Sequence, residues 1–278
     1  MLHELWPRRE LILSLVKRDL KTRYKSSVLG FLWSFCKPLL LMIVLYVVFT
    51  NFVRMHFDPP MRTPFALFLL SGILPWTYLS SALAEAMFAI VSNTSLVKKT
   101  YIPHEVFPIV TVLSNLFHFL LALVVFFLLM LCFGRVPKWT VMFLPAVIVI
   151  QTFFIVGLAM LLAALNVFYR DVASIMEILI TAWFYVSPIL YPLSEPMNRI
   201  SQVAGLPGWA FHLYMLNPMA PILAAYRKTM LLPAFGDVEM TALRLGIYLG
   251  IAIINSAILF LIGRAVFRHY SGRFADEV

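Results

Sequence analysis

The 278-residue chain predicts an all-α membrane protein with six transmembrane helices. Three observations carry that prediction. With 62% of its residues hydrophobic and 13% charged, the chain has too little polar surface to cover a soluble globule. Apolar stretches at 28–53, 64–91, 106–133, 141–165, 172–191 and 243–263 are each near or above the roughly 20 residues that a helix needs to cross the hydrocarbon. None alternates with a period of two, which excludes a transmembrane barrel. The expected organisation is one domain over 1–278, with an amphipathic leader at 9–27, the six-span region at 28–263 and a tail at 264–278.

The leader comes first. On a helical wheel Leu11, Ile12, Leu13, Leu15, Val16 and Leu20 share one broad arc, and Lys17, Arg18, Lys21 and Lys25 crowd the other. Asp19 and Arg23 spoil the division. Such a helix lies in a membrane surface with its cations at phosphates or against a partner protein, or it only sets topology as a basic tail. Six spans place both termini on one side. Basic residues in the leader, with Arg264, Arg268 and Arg273 in the tail, make that side cytoplasmic. The first apolar stretch is too long and too far in for a cleavable signal peptide.

Within the first span, Phe31, Phe35, Met42, Tyr46 and Phe49 fall on one helical face. Helix packing explains that stripe, and so does an aromatic lining along which sugar rings slide. Trp183, Tyr185 and Tyr191 in the fifth span suit the same lining or an interfacial anchor. Lys37 precedes Pro38, and proline suits a first helical turn. The span therefore starts near Pro38 after a re-entrant turn, or runs straight from Val28. In the first arrangement Arg23, Lys25, Lys37 and the backbone near Leu29 and Gly30 face an anionic headgroup, with Gly30 allowing close approach.

Two connectors carry information. Between spans two and three, Asn93, Thr94 or Ser95 caps a short helix ended by Pro103; with Lys98 and Lys99 it is a docking element or a solvated topogenic loop. Between spans five and six, prolines 192, 196, 207, 218, 221 and 233 punctuate apolar pieces too short to cross. Residues 219–232 are expected to dip into the membrane from outside as a short re-entrant helix, since broken backbone at that depth must be buried in protein or line a cavity.

The missing chemistry narrows the function. There is no Gly-Lys dipeptide, hence no phosphate-binding loop of the G-x-x-x-x-G-K type, and ATP and Mg would belong to a separate chain. Glu85, Glu105, Asp171 and Glu177 all sit near span ends, and His118 is the lone histidine deep in a span, so ion coupling is poorly supported. No paired carboxylates support a lipid-linked glycan enzyme. Cys36 and Cys132 form neither a disulfide framework nor a metal spacing. The net charge of +9 reads as topology and surface anchoring rather than nucleic-acid binding, because the aromatics are inside spans.

RYKSSVLGFLW (23–33), NVFYRDVASIMEILITAWFYVSPILYP (166–192) and NPMAPILAAYR (217–227) resemble the permease subunit of ABC-type polysaccharide exporters, the family of O-antigen, capsule and teichoic acid permeases. The resemblance covers essentially the whole chain. It implies a homodimer in the bacterial inner membrane, bound to two copies of an ATPase. It also implies an undecaprenyl-diphosphate-linked polysaccharide as cargo, O-antigen first among the choices, moved from cytoplasm to periplasm. It maps the interface helix to 11–25 and the headgroup turn to Leu29 and Gly30. ATPase coupling falls to Lys17, Arg18, Lys21, Leu96, Val97, Lys98, Lys99 and Tyr101. The pathway is assigned to the first and fifth spans. A type-2 drug or lipid exporter is the alternative within transport.

Overall fold

The computed structural model describes residues 9–24, 33–52, 64–99, 102–193, 209–231 and 242–277, and these form helices and turns with no strand among them. The helices are α1 (Arg9–Tyr24), α2 (Trp33–Val47, continued by a π-helical turn at Val48–Phe52), α3 (Phe65–Ala86), α4 (Thr94–Lys99), α5 (Val106–Cys132), α6 (Leu144–Phe168), α7 (Asp171–Val186), α8 (Trp209–Tyr214), α9 (Met219–Leu231), α10 (Ala242–Ser271) and α11 (Phe274–Glu277). Among the described residues, four segments are long and apolar enough to cross a membrane: Phe65–Ala86, Val106–Cys132, Trp139–Phe168 and Leu245–Ser271. Over the described residues, the first and fifth expected spans are shorter helices. α2 has 15 residues before its π turn. α7 has 16 and stops at Ser187, whose backbone is extended ahead of Pro188, as a residue preceding proline favours.

Two boundaries differ from the sequence expectation for local reasons. Pro38 lies inside α2 rather than at its start, because the helix is already formed from Trp33. Helix α4 is described to Lys99 and Ile102 already lies outside it, ahead of Pro103, whose carbonyl accepts the Val106 N–H at the start of α5. Helix α10 runs eight residues past Gly263 to Ser271. Arg264 and Arg268 are therefore helical residues facing Glu105, and not part of a loose tail.

The core gathers around α3, where 16 of 22 residues are buried, packed by α2, α5, α6 and α9. Lipid tails are as apolar as the helices, so association depends on close packing and small residues. Helices α6 and α10 meet at two glycines. A Cβ on Gly157 would lie 2.6 Å from the Phe260 nitrogen, and one on Gly263 would strike the Gly157 carbonyl. Only hydrogen fits at either place.

Buried polar side chains cross-link these helices. Gln151 of α6 donates to the Pro75 carbonyl in α3 (2.8 Å) and accepts from the Tyr226 hydroxyl of α9 (2.7 Å). Asn166 donates to the Met87 carbonyl at 2.9 Å. Where water is excluded, such groups must be satisfied internally.

Candidate functional site

Two regions hold the residues that the sequence singled out. At one end of the bundle, α1 lies across the start of α5. Leu15 is buried with Val106 and Val110, and Leu11, Ile12, Val16, Leu96 and Ile102 close the cluster. The apolar stripe of α1 is thus covered by protein along that length, whereas Leu13 points outward. Opposite the cluster, Lys17, Arg18 and Lys21 are exposed.

Arg18 ties α1 to the helix beside it. Its Nη2 donates to Asn93 Oδ1 at 2.7 Å. Asn93 precedes α4 but does not cap it: its Nδ2 donates to the Ala89 carbonyl, and Thr94 Oγ1 donates to the Val91 carbonyl. Within α4, Ser95 and Lys98 are exposed, Leu96 is half-buried and Val97 is buried. The sequence placed Leu96 and Val97 on a docking surface. The structure turns Val97 into the core, because a six-residue helix lying on a bundle must bury one face. A basic patch of Lys17, Arg18, Lys21 and Lys98 remains on the outside. Arg23 and Lys99 lie on α1 and α4, while Lys25, Leu29, Gly30, Phe31 and Tyr101 lie outside the described residues.

The remaining candidate residues lie on α2 and α7, which each pack on α3. Phe35, Met42 and Phe49 turn inward and pack on the core; the Phe49 ring meets Phe65 edge-on at 6.2 Å. Tyr46, at the margin of that face, is 40% exposed and its ring lies 6.3 Å from Phe65. Lys37 is exposed beside buried Pro38. The outer face of α2 is otherwise aliphatic: Leu40, Leu41, Ile43, Val44 and Val47.

Helix α7 buries one residue, Ile180. Met176, Trp183 and Phe184 lean on the core, and Trp183 meets Trp76 edge-on at 5.7 Å. Its remaining surface is open and mixes Ser174, Glu177 and Thr181 with Ile175, Ile178, Leu179 and Tyr185. Thr181 Oγ1 donates to the Glu177 carbonyl, so this polar hydroxyl is satisfied within the helix. Tyr185 is 64% exposed.

The far end of α7 is anchored. Trp183 Nε1 donates to Asn217 Oδ1 (2.8 Å), which also accepts the Met219 N–H (3.1 Å), while Asn217 Nδ2 donates to Ser187 Oγ. The Tyr191 hydroxyl caps the helix, its one proton shared between the Tyr185 and Val186 carbonyls. It also lies 3.4 Å from the Tyr214 hydroxyl. Burial, and then this contact, push the Tyr214 hydroxyl well above the ordinary tyrosine range, so it stays protonated.

Arg227 is the largest fully buried side chain. Its Nη2 donates to the Ile189 carbonyl at 2.8 Å and its Nη1 to the Tyr191 carbonyl at 3.2 Å. Its guanidinium lies 3.9 Å over the Phe68 ring, a cation–π contact strengthened by exclusion of water. Gly72 admits this arrangement: a Cβ there would sit 3.0 Å from the Ile189 oxygen and 3.2 Å from Arg227 Nη2. The sequence marked Arg227 only as the close of a motif. The available signal for a buried carbonyl clamp was a cation, Arg227 beside Lys228, within an otherwise apolar helix.

The sequence profile of the ABC-2 type transporter family matches residues 10–231. The chain belongs to that family. It is 36% identical over 227 residues to an O-antigen export system permease protein of Myxococcus xanthus, covering 82% of each chain. A Klebsiella pneumoniae O-antigen export system permease is 28% identical over 268 residues, 96% of this chain and 94% of the relative. The polysialic acid transport protein KpsM of Escherichia coli is 24% identical over 223 residues, 78% of this chain and 80% of the relative. As an ABC-2 permease the chain is a transport subunit, and ATP hydrolysis belongs to the ATPase with which such permeases work.

Proposed function

We propose that this ABC-2 permease is the channel-forming subunit of an ATP-driven exporter, moving undecaprenyl-diphosphate-linked polysaccharide, O-antigen foremost, from cytoplasm to periplasm. Its similarity to O-antigen export permeases over nearly the whole chain carries this reading. The weaker similarity to a polysialic acid transporter keeps capsule as the second cargo.

In this reading the chain crosses the inner membrane six times, with α2 and α7 as the first and fifth spans and both termini cytoplasmic. Two copies pair with two ATPase subunits. The open faces of α2 and α7 border the pathway, with Tyr46 and Tyr185 presented to sugar rings and Trp183 and Tyr191 set behind them. Phe35 and Phe49 support that wall from within. Arg23, Lys25, Lys37 and the Leu29–Gly30 turn receive the diphosphate, whose charge cannot enter hydrocarbon unpaired. Helices α1 and α4 dock the ATPase through Lys17, Arg18, Lys21 and Lys98. ATP-driven closure of the ATPase pair moves these helices and opens the pathway, and repeated cycles advance a long chain.

The test is co-expression with the cognate ATPase. A stable complex should form, cross-link from Ser95→Cys to the ATPase, and restore surface polysaccharide to a strain lacking the permease. Periplasmic labelling of Ser95→Cys reverses the topology and removes the mechanism. Restored export without any ATPase removes the function.

A further inference from the structure

Beneath α4 the structure holds a junction that docking alone does not use. His104 and Glu105 link α4 to α5. Glu105 is buried, and its Oε1 accepts from Arg268 Nε at 2.7 Å, with Arg264 Nε 3.6 Å from the same oxygen. Both arginines lie on α10. One carboxylate thus fastens the loop after α4 to the end of the last long helix.

The chain then turns back. Phe274, at the start of α11, is fully buried. Its ring centroid lies 5.8 Å from His104, 6.1 Å from Phe168 and 5.1 Å from Phe267. Tyr270 adds a second ring against Phe168 at 5.0 Å. Helix α11 also rests against α4. Phe274 therefore touches the loop that follows α4, the final residue of α6 and the last turns of α10 at once.

Phe168 gives this junction its reach. Two residues, Tyr169 and Arg170, separate it from α7, the helix with one buried residue among 16. Tight packing transmits displacement instead of absorbing it, and the weakly held neighbour is the element that yields. Helices α6 and α10 are locked at Gly157 and Gly263, so a push on His104 and Phe274 is relieved at the α6–α7 turn.

We propose that Phe274 is a positioning residue for transport: with the Glu105–Arg268 pair it carries movement of the α4 loop, through Phe168, into α7. The inference rests on the docking role given to α4 above. The relay is a set of packed rings and one ion pair joining two elements that have separate tasks.

The experiment uses the full chain in complex with its ATPase, in proteoliposomes of bacterial phospholipid. Ile178→Cys, on the exposed surface of α7, reports that helix through its rate of maleimide labelling with and without ATP. In the otherwise native chain ATP should change that rate. Adding Phe274→Ala should leave the complex assembled and hydrolysing ATP, while the ATP-dependent change falls about tenfold, the scale of coupling losses through packed networks. Phe274→Leu should restore most of the response. Glu105→Gln, which keeps shape and removes charge, should give a partial loss if Phe274→Ala does not assemble. An unchanged ATP response in Phe274→Ala, a Phe274→Leu variant no better than alanine, or no ATP response in the native background overturns the relay. The Ser95→Cys cross-link separates the two readings. If it forms while Phe274→Ala still responds, docking stands and the relay falls; if it never forms, docking itself is lost.

Discussion

Helices α3 and α7 are both apolar in sequence, yet α3 buries 16 of its 22 residues and α7 one of its 16. The difference lies in what each surface is made to meet. α3 presents Gly72 to a carbonyl, Pro75 to Gln151 and Phe68 to a guanidinium. Each contact is specific, and no lipid replaces it. α7 presents Ser174, Glu177, Thr181 and Tyr185 outward among aliphatic residues. That mixture suits a wet wall or a second protein better than hydrocarbon. Hydropathy detects both helices equally well and does not distinguish a pillar from a wall.

The comparison breaks most decisively at the glycine contact. Gly263→Val drives two methyl groups toward the Gly157 carbonyl, and overpacking of about 1–3 kcal/mol or more should abolish recovery of folded protein. Gly250→Val, on the same helix with nothing within 4 Å of its Cβ, should be recovered normally. Equal yields of the two variants, read by size-exclusion chromatography in detergent, would dissolve the locked half of the molecule.

A smaller effect is expected at the clamp. Arg227→Met removes the donors to Ile189 and Tyr191, and each carbonyl left without its donor costs roughly 1–3 kcal/mol. The thermal midpoint in detergent should fall clearly, with export reduced in proportion to the folded protein remaining. A midpoint equal to that of the parent chain would mean that the α9 end is held by something else.

Tyr185→Ala should behave in the opposite way. An exposed side chain contributes within about 0.5 kcal/mol to stability, so the melting curve should not move while surface polysaccharide drops several-fold. A destabilised Tyr185→Ala would make α7 a second pillar. The smallest change is expected for Asn93→Ala, which deletes the acceptor of one exposed bond from Arg18. Complex formation with the ATPase should persist, with hydrolysis and export drifting apart by less than about threefold, since one exposed hydrogen bond contributes little.

The helices were legible because apolar length and proline placement are local properties. Residues 106–133 and 141–165 became α5 and α6 with shifts of a few residues, and 219–232 became α9 nearly as drawn. The direction in which side chains face was less legible. Phe35, Met42 and Phe49 had the spacing of one face, but that face turned to α3 and α5, and spacing contains no information about the neighbour. Arg264 and Arg268 looked like topogenic charges because their partner, Glu105, stands about 160 residues away in sequence. Phe274, one aromatic near the end of the chain, offered no period at all. Asn93, a cap candidate together with Thr94 and Ser95, accepts instead from Arg18, a partner that comes from another helix.

Gln151 has a consequence for the order in which the molecule is built. Its amide nitrogen is committed to Pro75 and its oxygen to Tyr226, so its orientation is fixed by two helices on opposite sides of it in the sequence. Tyr226 finds an acceptor correctly aimed only after α3 and α6 have met. Helix α9, the last of the three to leave the ribosome, therefore seats against a surface that its predecessors have already completed, and a chain in which α3 and α6 are misaligned has nowhere to put it.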